Sequence, residues 1–184
     1  MAKKDLTPRK VRLFVAAELP DDVRAALAAW RPRDGALRAV HQAGLHVTLC
    51  FLGWRDETRV GEIGAAATAC AAPVGALSVQ AGLWLPPRRP RVLAVSLDDP
   101  LHRLAALQQR VSDAMVKAAG YEPEARPFLP HVTVARVRRG ERAPRGDLPA
   151  PPALRFVPTA LTLYRSRLGR QGARYEPLAS APLR

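Results

Sequence analysis

The chain has 184 residues, 48% of them hydrophobic and 24% charged, which excludes a disordered chain and indicates a globular domain with a substantial core. Lysine and arginine total 29 against 16 acidic residues, giving a net charge of +13 that arginine dominates. This charge favours a polyanionic partner such as nucleic acid, although a coding bias towards arginine, alanine and proline gives the same composition. Cys50 and Cys70 match neither a disulfide framework nor a zinc motif, and no apolar stretch reaches membrane-spanning length. We therefore expect a soluble protein of the cytoplasm.

The first half of the chain reads as alternating strands and helices. Asp21 and Asp56 stand at two helix starts, where a carboxylate can cap free backbone N–H groups. The predicted order is strand 11–19, helix 21–30, a turn-rich loop, strand 45–53, helix 56–71 and strand 77–83.

The second half predicts a similar series with one longer helix. A strand at 91–97 precedes a helix that begins at Asp99-Pro100 and ends at Gly120, and strands follow at 131–137, 155–165 and 174–178. The two halves resemble a diverged duplication, with pseudo-repeats at roughly 11–85 and 90–180 of a single bilobal domain spanning 1–184. We expect an α+β architecture with antiparallel or mixed sheets and the helices outside.

Two matched tetrapeptides stand out, HVTL at 46–49 and HVTV at 131–134, whose histidines are 85 residues apart. Alternate residues of a strand point to opposite faces, so each histidine shares a face with its threonine while the apolar residues face the core. If the two strands lie side by side, one cleft holds two imidazoles and two hydroxyls. The candidate side chains are His46, Thr48, His131 and Thr133.

This set of side chains suits proton transfer at a phosphate better than metal binding. One imidazole can take a proton from the attacking oxygen and the other can give one to the leaving oxygen, while the hydroxyls donate to the non-bridging oxygens. No carboxylate nearby in sequence completes a metal site. A single histidine on a strand is more often structural, but the repeated pattern favours a site. His41 and His102 have no threonine two residues on, and we interpret them as structural or surface residues.

Four segments in order resemble the RNA 2′,3′-cyclic phosphodiesterases, historically named 2′-5′ RNA ligases, of the two-histidine phosphoesterase superfamily. They are RLFVAAELP, HVTLCFLG, PFLPHVTVARV and LTLYRSRLGRQGARYEPL, and together they span nearly the whole chain. The resemblance implies a bilobal fold in which two antiparallel sheets form a concave groove with one His-x-Thr motif from each lobe. It also implies metal-independent hydrolysis of an RNA or nucleotide 2′,3′-cyclic phosphate to a 2′-phosphate. We expect no cofactor and no obligatory protein partner, and we expect a monomer because nothing in the sequence demands an oligomer.

The resemblance also implies residue roles. His46 would protonate the departing 3′ oxygen, His131 would activate water, and Thr48 and Thr133 would hold the phosphoryl oxygens. Arg136 would lie near the phosphate. It comes three residues after Thr133, on the opposite face of a regular strand, so this role requires a β-bulge or a strand end.

Other functions and residues stay open from the sequence. The same groove could join RNA ends by a 2′-5′ linkage, or could bind nucleotides or RNA ends without turnover. Phe14 could stack on a base or pack in the core. Two further groups could border the groove or lie on an ordinary surface: Trp84 with Arg88, Arg89 and Arg91, and Tyr164 with Arg165 and Arg167.

Overall fold

The computed structural model describes residues 9–169 and 172–183 as strands and helices that largely follow the predicted order. The strands are β1 (Lys10–Glu18), β2 (Leu37–Ala39), β3 (His46–Asp56), β4 (Leu77–Leu85), β5 (Val92–Asp98), β6 (His131–Val137), β7 (Arg155–Phe156), β8 (Ala160–Gly169) and β9 (Gly172–Pro182). The helices are α1 (Asp21–Trp30), α2 (Val60–Thr68) and α3 (Arg103–Ala119), with short 3₁₀ turns at Gln42–Gly44 and Glu57–Arg59.

The helix starts differ from the prediction in where the capping groups lie. Asp21 is not the cap of α1, because Pro20 occupies that position and Asp21 already lies in the first turn, where its charge complements the helix dipole. Asp56 caps the 3₁₀ turn ahead of α2, accepting from the Thr58 N–H at 2.9 Å. Helix α2 therefore starts at Val60, four residues later than predicted, and ends at Thr68 rather than at residue 71.

Helix α3 begins at Arg103, four residues after Asp99, although Asp99 still stabilises its start. The Asp99 carboxylate accepts from the backbone N–H groups of Arg103 at 3.1 Å and Ala105 at 3.0 Å. Gly120 ends the helix with a φ of 58°, a left-handed conformation that glycine adopts without steric cost. One face of α3 packs into the core through Leu104, Leu107, Val111 and Met115, which are fully buried.

The nine strands of the described residues form a curled antiparallel sheet in the order β7-β4-β5-β6-β3-β1-β8-β9, with β2 paired to β6. The prediction of an α+β fold is thereby confirmed. The two predicted sheets meet where β3 pairs with β6 at a single registered position, Val47 opposite Val132, so they are continuous with each other. One lobe contains β1, β3, β8 and β9, and the other contains the remaining strands.

Each lobe combines strands from both halves of the chain. Strand β8 pairs with β1, so the end of the chain completes the lobe that its beginning started, whereas β4 pairs with β5 in the other lobe. Helices α2 and α3 pack on each other and against β3, β8 and β9. The repeat boundaries at 11–85 and 90–180 stay a prediction about the origin of the chain.

The faces of β3 and β6 follow the predicted alternation at both motifs. Val47, Leu49, Val132 and Val134 are buried in the core. The histidines and threonines between them are half-buried on the concave face of the sheet. In the part of the chain that the structure describes, no helix is long and apolar enough to cross a membrane.

Candidate active site

The pairing of β3 with β6 brings the two motifs together about a local pseudo-twofold axis between Val47 and Val132. Because the strands are antiparallel, the register at this pair places His46 opposite Thr133 and Thr48 opposite His131. Side chains opposite each other on one face lie about 5 Å apart at their Cβ atoms. The four predicted side chains therefore meet in one place, and each histidine has the other strand's threonine as its neighbour.

Both imidazoles are held by the same local hydrogen bond. His46 Nδ1 lies 2.8 Å from the carbonyl oxygen of Gly44, and His131 Nδ1 lies 2.8 Å from that of Leu129, each two residues earlier. A carbonyl only accepts, so each Nδ1 carries a proton and each Nε2 is the atom that exchanges one. In the neutral ring of His46, Nε2 accepts from the Thr48 hydroxyl at 3.1 Å.

A β-bulge follows each motif at the same place. In β3, Leu49 has no paired residue on β1, because the pairing register skips it. In β6, Val134 is skipped in the same way in the pairing with β5. A bulge adds one residue on one strand and reverses the alternation beyond it. The fifth residue after each histidine therefore returns to the concave face, and these residues are Phe51 and Arg136. The bulge that a phosphate role for Arg136 requires is thus present.

The His46 ring lies in an aromatic cluster. It stacks on Phe14, with ring centroids 4.8 Å apart and planes 27° from parallel, and Tyr175 of β9 meets it edge-on at 5.2 Å. Gly44 permits this approach, since a Cβ there would lie 3.2 Å from the Tyr175 ring. Burial lowers the pKa of His46 from 6.5 to about 4, with Arg136, Arg24 and His131 adding positive charge and the Gly44 hydrogen bond opposing the change. In the unliganded protein His46 is neutral at pH 7.

A polar network behind this cluster is centred on Glu18, the β1 residue paired with His46. Its carboxylate accepts from Thr162 at 2.5 Å and from Tyr164 at 2.8 Å, and it forms an ion pair with Arg24 at 3.2 Å. The Tyr164 ring belongs to the same aromatic cluster, 5.2 Å from the Phe14 ring and 6.0 Å from the His46 ring. Burial, followed by the contact with Glu18, raises the pKa of the Tyr164 hydroxyl, which stays protonated and holds the stack in place.

The concave face holds a small pocket between the motifs and a larger cleft around it. The pocket, about 20 Å³, is lined by Val40, Gly44, His46, Thr48, His131, Thr133, Arg136 and Tyr175. It contains imidazole, hydroxyl and guanidinium groups but no carboxylate. In residues 9–169 and 172–183, no group of three or more His, Cys, Asp or Glu side chains could hold a metal ion. The cleft measures about 1060 Å³ and extends along α3 and the 121–129 segment.

The structure shows which of the residues whose role the sequence left open line the cleft. Arg91 lines the cleft, whereas Trp84, Arg88 and Arg89 do not. Phe14 is buried but lies outside the main core cluster; it lines the cleft and forms the surface on which His46 lies.

Tyr164, Arg165 and Arg167 of the closing hairpin, and the other two histidines, lie outside the cleft lining. Arg165 forms an ion pair with Glu57 at 3.1 Å, and Arg167 forms one with Glu176 at 2.8 Å. His41 accepts from the Ala43 N–H in the first 3₁₀ turn, and His102 precedes α3, so both are structural or surface residues as predicted.

Comparison with known proteins places this chain in a family. A family model described as the 2′-5′ RNA ligase superfamily matches residues 19–170. The chain belongs to the 2′-5′ RNA ligase superfamily. Among superfamily relatives, the RNA 2′,3′-cyclic phosphodiesterase of Escherichia coli (strain K12) is 30% identical, over 91% of this chain and 93% of the relative. The RNA 2′,3′-cyclic phosphodiesterase of Thermus thermophilus is 31% identical, over 95% of this chain and 91% of the relative.

Solved structures of the superfamily share the fold. The crystal structure of E. coli LigT complexed with 3′-AMP superposes with a TM-score of 0.80 at 29% identity, covering 95% of this chain and 99% of LigT.

Sequence reasoning did not find that Tyr175 and Phe51 line the cleft. Tyr175 comes from β9, more than 120 residues after His46, and only the pairing of β8 with β1 brings it close. Phe51 lies on the wrong face of a regular strand, so only the bulge at Leu49 turns it inward. The matching offset of Phe51 and Arg136 from their histidines is the signal that could have revealed this bulge.

Proposed function

We propose that this protein hydrolyses the 2′,3′-cyclic phosphate of an RNA end or nucleotide to a 2′-phosphate, with His46 and His131 as the acid–base pair. The observation that carries the proposal is the matched pair of imidazoles, each with Nδ1 hydrogen-bonded to a carbonyl, which leaves Nε2 as the atom that exchanges a proton at a shared pocket. The names of the two relatives and the nucleotide complexes of LigT with 3′-AMP, ATP and NADP⁺ agree with this substrate class.

The proposed reaction is an in-line displacement at phosphorus. Water attacks the phosphorus as His131 Nε2 takes its proton, and a new P–O bond forms. The bond from phosphorus to the 3′ oxygen breaks as His46 Nε2 gives that oxygen a proton, so the phosphate stays on the 2′ oxygen. The next turnover requires transfer of the proton from His131 back to His46 through solvent.

Three further side chains would stabilise the charge on phosphorus. The hydroxyls of Thr48 and Thr133 donate to the non-bridging oxygens, and the guanidinium of Arg136 pairs with them. Thr48 hydrogen-bonds His46 in the unliganded protein, so bound substrate takes over that hydroxyl.

The low pKa of His46 is consistent with a general acid that becomes protonated only when substrate binds. Burial and the positive charge of Arg136 keep the free imidazole neutral at pH 7. An anionic cyclic phosphate beside the ring raises the pKa of His46 by favouring the charged form, so the ring takes up a proton from solvent as substrate binds. We propose that the reaction needs no metal, because the pocket lining offers two imidazoles and no carboxylate as ligands. We also propose that the protein acts in the reducing cytoplasm, since Cys50 and Cys70 are free and buried thiols.

End joining is a second candidate, because the cleft of about 1060 Å³ leaves room for a second strand end beside the pocket. In that reaction, a 5′-hydroxyl of RNA replaces water as the nucleophile and the product contains a 2′-5′ linkage.

Product analysis separates these functions. Purified protein is incubated in EDTA with 2′,3′-cyclic AMP and with a trinucleotide ending in a 2′,3′-cyclic phosphate, with and without a 5′-hydroxyl RNA. We expect a 2′-phosphate in every case. A 3′-phosphate would refute the assigned leaving oxygen, a 2′-5′ linked product would establish joining, and binding without turnover would indicate a recognition module.

A further inference from the structure

Four arginines line the cleft, and one of them, Arg12, is held by an aromatic ring and a hydroxyl away from the two His-x-Thr tetrapeptides. The Arg12 guanidinium lies over the Phe51 ring, with its central carbon 4.4 Å from the ring centroid. The Arg12 Nη1 also donates to the buried hydroxyl of Ser166 at 3.2 Å. Arg12, Phe51 and Ser166 all line the cleft, and together they form what we call the Arg12 platform.

The Arg12 platform lies outside the small pocket, further along β1 and β3 than the two motifs. Phe51 comes five residues after His46 on β3, and a strand advances about 3.3 Å per residue, so their Cα atoms are separated by on the order of 15 Å. Arg12 pairs with Trp54, still further along the strand. Neither Arg12 nor Phe51 lines the pocket between the motifs.

The Arg12 guanidinium is oriented but not neutralised. The aromatic ring and the Ser166 hydroxyl fix its plane, which lowers the cost of ordering a long side chain on binding. Within the described ranges, no carboxylate forms an ion pair with Arg12, whereas Arg165 and Arg167 on the neighbouring strand are both paired. A fixed guanidinium with unused donors is suited to a phosphate.

Phe51 adds a second property, since 42% of this large apolar side chain is exposed on the sheet. An exposed aromatic ring beside an arginine offers a stacking surface and a charge, which match the base and the phosphodiester of a single-stranded nucleic acid. An acidic peptide would use the charge but not the ring. The ring and the guanidinium together favour a nucleotide.

We propose that the Arg12 platform binds the nucleotide on the 5′ side of the cyclic phosphate, with Arg12 on its phosphodiester and Phe51 against its base. The inference rests on the proposed function and makes it more specific. The preferred substrate is an RNA strand of two or more nucleotides rather than a cyclic mononucleotide.

The test compares Arg12→Ala with wild type on two substrates, 2′,3′-cyclic AMP and a trinucleotide ending in a 2′,3′-cyclic phosphate. We expect kcat/KM for the trinucleotide to fall at least tenfold more than that for cyclic AMP. The slope of log kcat/KM against log salt for the trinucleotide should become shallower by about 0.7, the value for one phosphate contact on a single strand. Arg155→Ala removes one exposed charge from β7, outside the cleft lining, and should change neither quantity.

Two more variants separate the parts of the platform. Arg12→Lys keeps the charge and the aliphatic part of the side chain but loses the planar guanidinium. Its kcat/KM for the trinucleotide should therefore lie between those of wild type and Arg12→Ala. Phe51→Ala removes the stacking surface and should weaken the trinucleotide selectively, by roughly 5- to 100-fold. Circular dichroism and thermal melting establish that each variant is folded.

If Arg12→Ala lowered kcat/KM equally for both substrates, or for neither, the inference would be overturned and Arg12 would be only a packing partner of Phe51. If wild type turns over neither substrate, the proposed function fails, and the platform is then tested by binding alone. Fluorescence anisotropy would compare a 2′-phosphate-terminated trinucleotide with 2′-AMP on wild type and Arg12→Ala. A tenfold selective loss for the trinucleotide would still support the platform, and an unselective result would reject it.

Discussion

The imidazole of His46 lies against the ring of Phe14, and this contact removes one face of the histidine from water. Burial is the largest cause of its pKa of about 4. Acid–base catalysis by two histidines needs one neutral and one protonated ring, and activity is lost at the pH where both become protonated. Whichever histidine is the acid, the lower pKa of the pair sets the acidic limb of the plot of kcat/KM against pH. We predict that this limb lies near pH 4 rather than near 6.5.

The Phe14→Leu variant tests whether burial of His46 sets the position of the acidic limb. It keeps an apolar side chain but uncovers the ring, so the charged form of His46 is better solvated and its pKa rises towards 6.5. The acidic limb should move up with it, and an NMR titration of His46 should show the same direction. A wild-type limb near 6.5, or one that Phe14→Leu leaves in place, would contradict the buried environment of this histidine.

We expect Arg136 to affect both phosphate binding and the protonation of His46. Arg136→Gln should raise KM about tenfold or more through loss of a charge-assisted contact. It should also move the acidic limb upward, because Arg136 is one of the positive charges that lower the pKa of His46. Arg136→Lys should leave the limb near its wild-type position while recovering part of the affinity. An unchanged KM in Arg136→Gln would remove this residue from the site.

The two threonines should differ in their effects, because Thr48 hydrogen-bonds His46 Nε2 and Thr133 makes no such bond in the described residues. Thr48→Val and Thr133→Val should each lower kcat by roughly 10- to 100-fold, less than loss of a histidine, with the larger loss at Thr48. Thr48→Ser should restore most of the rate, which single-turnover kinetics can measure. No loss in either valine variant would exclude the hydroxyls from phosphate binding.

Glu18 should affect stability and the pH profile together. Tyr164→Phe removes one hydrogen bond to the Glu18 carboxylate and should lower the free energy of unfolding by about 1 kcal/mol. Glu18→Gln should lower the free energy of unfolding by more than this. Among the described residues it leaves Arg24 only the exposed Asp21 as an ion-pair partner, so the less neutralised charge of Arg24 lowers the pKa of His46 further and moves the acidic limb down. Denaturant titration and the pH profile measure these effects, and an upward movement of the limb would contradict this arrangement.

Much of the site could be predicted because short local sequence patterns identify its residues. The repeated His-x-Thr tetrapeptides identified the residues that meet, and strand alternation assigned their common face. The position of Arg136 three residues after Thr133 required a bulge, and the register of β6 contains one at Val134. The same reasoning applied to β3 would have placed Phe51 in the cleft.

The features that were missed depend on contacts between distant segments. Strand β2 has only three residues, and its pairing with β6 about 100 residues later carries no local signal. The return of β8 to β1 brings Tyr175 against His46 in the same way. The capping assignment of Asp21 failed for a local reason, since Pro20 takes the cap position and any acid in the first turn satisfies the same pattern.

The central claim is that His46 and His131 act as one acid–base pair on a cyclic phosphate. The most direct test measures hydrolysis of an RNA ending in a 2′,3′-cyclic phosphate, in EDTA, by wild type, His46→Ala, His131→Ala and the double variant. We predict a 2′-phosphate product, a loss of ~10²–10⁴ in kcat for each single variant, and a double variant little worse than either, because groups that act as a unit are not additive. Full activity in either single variant, or a rate that EDTA abolishes, would contradict the account.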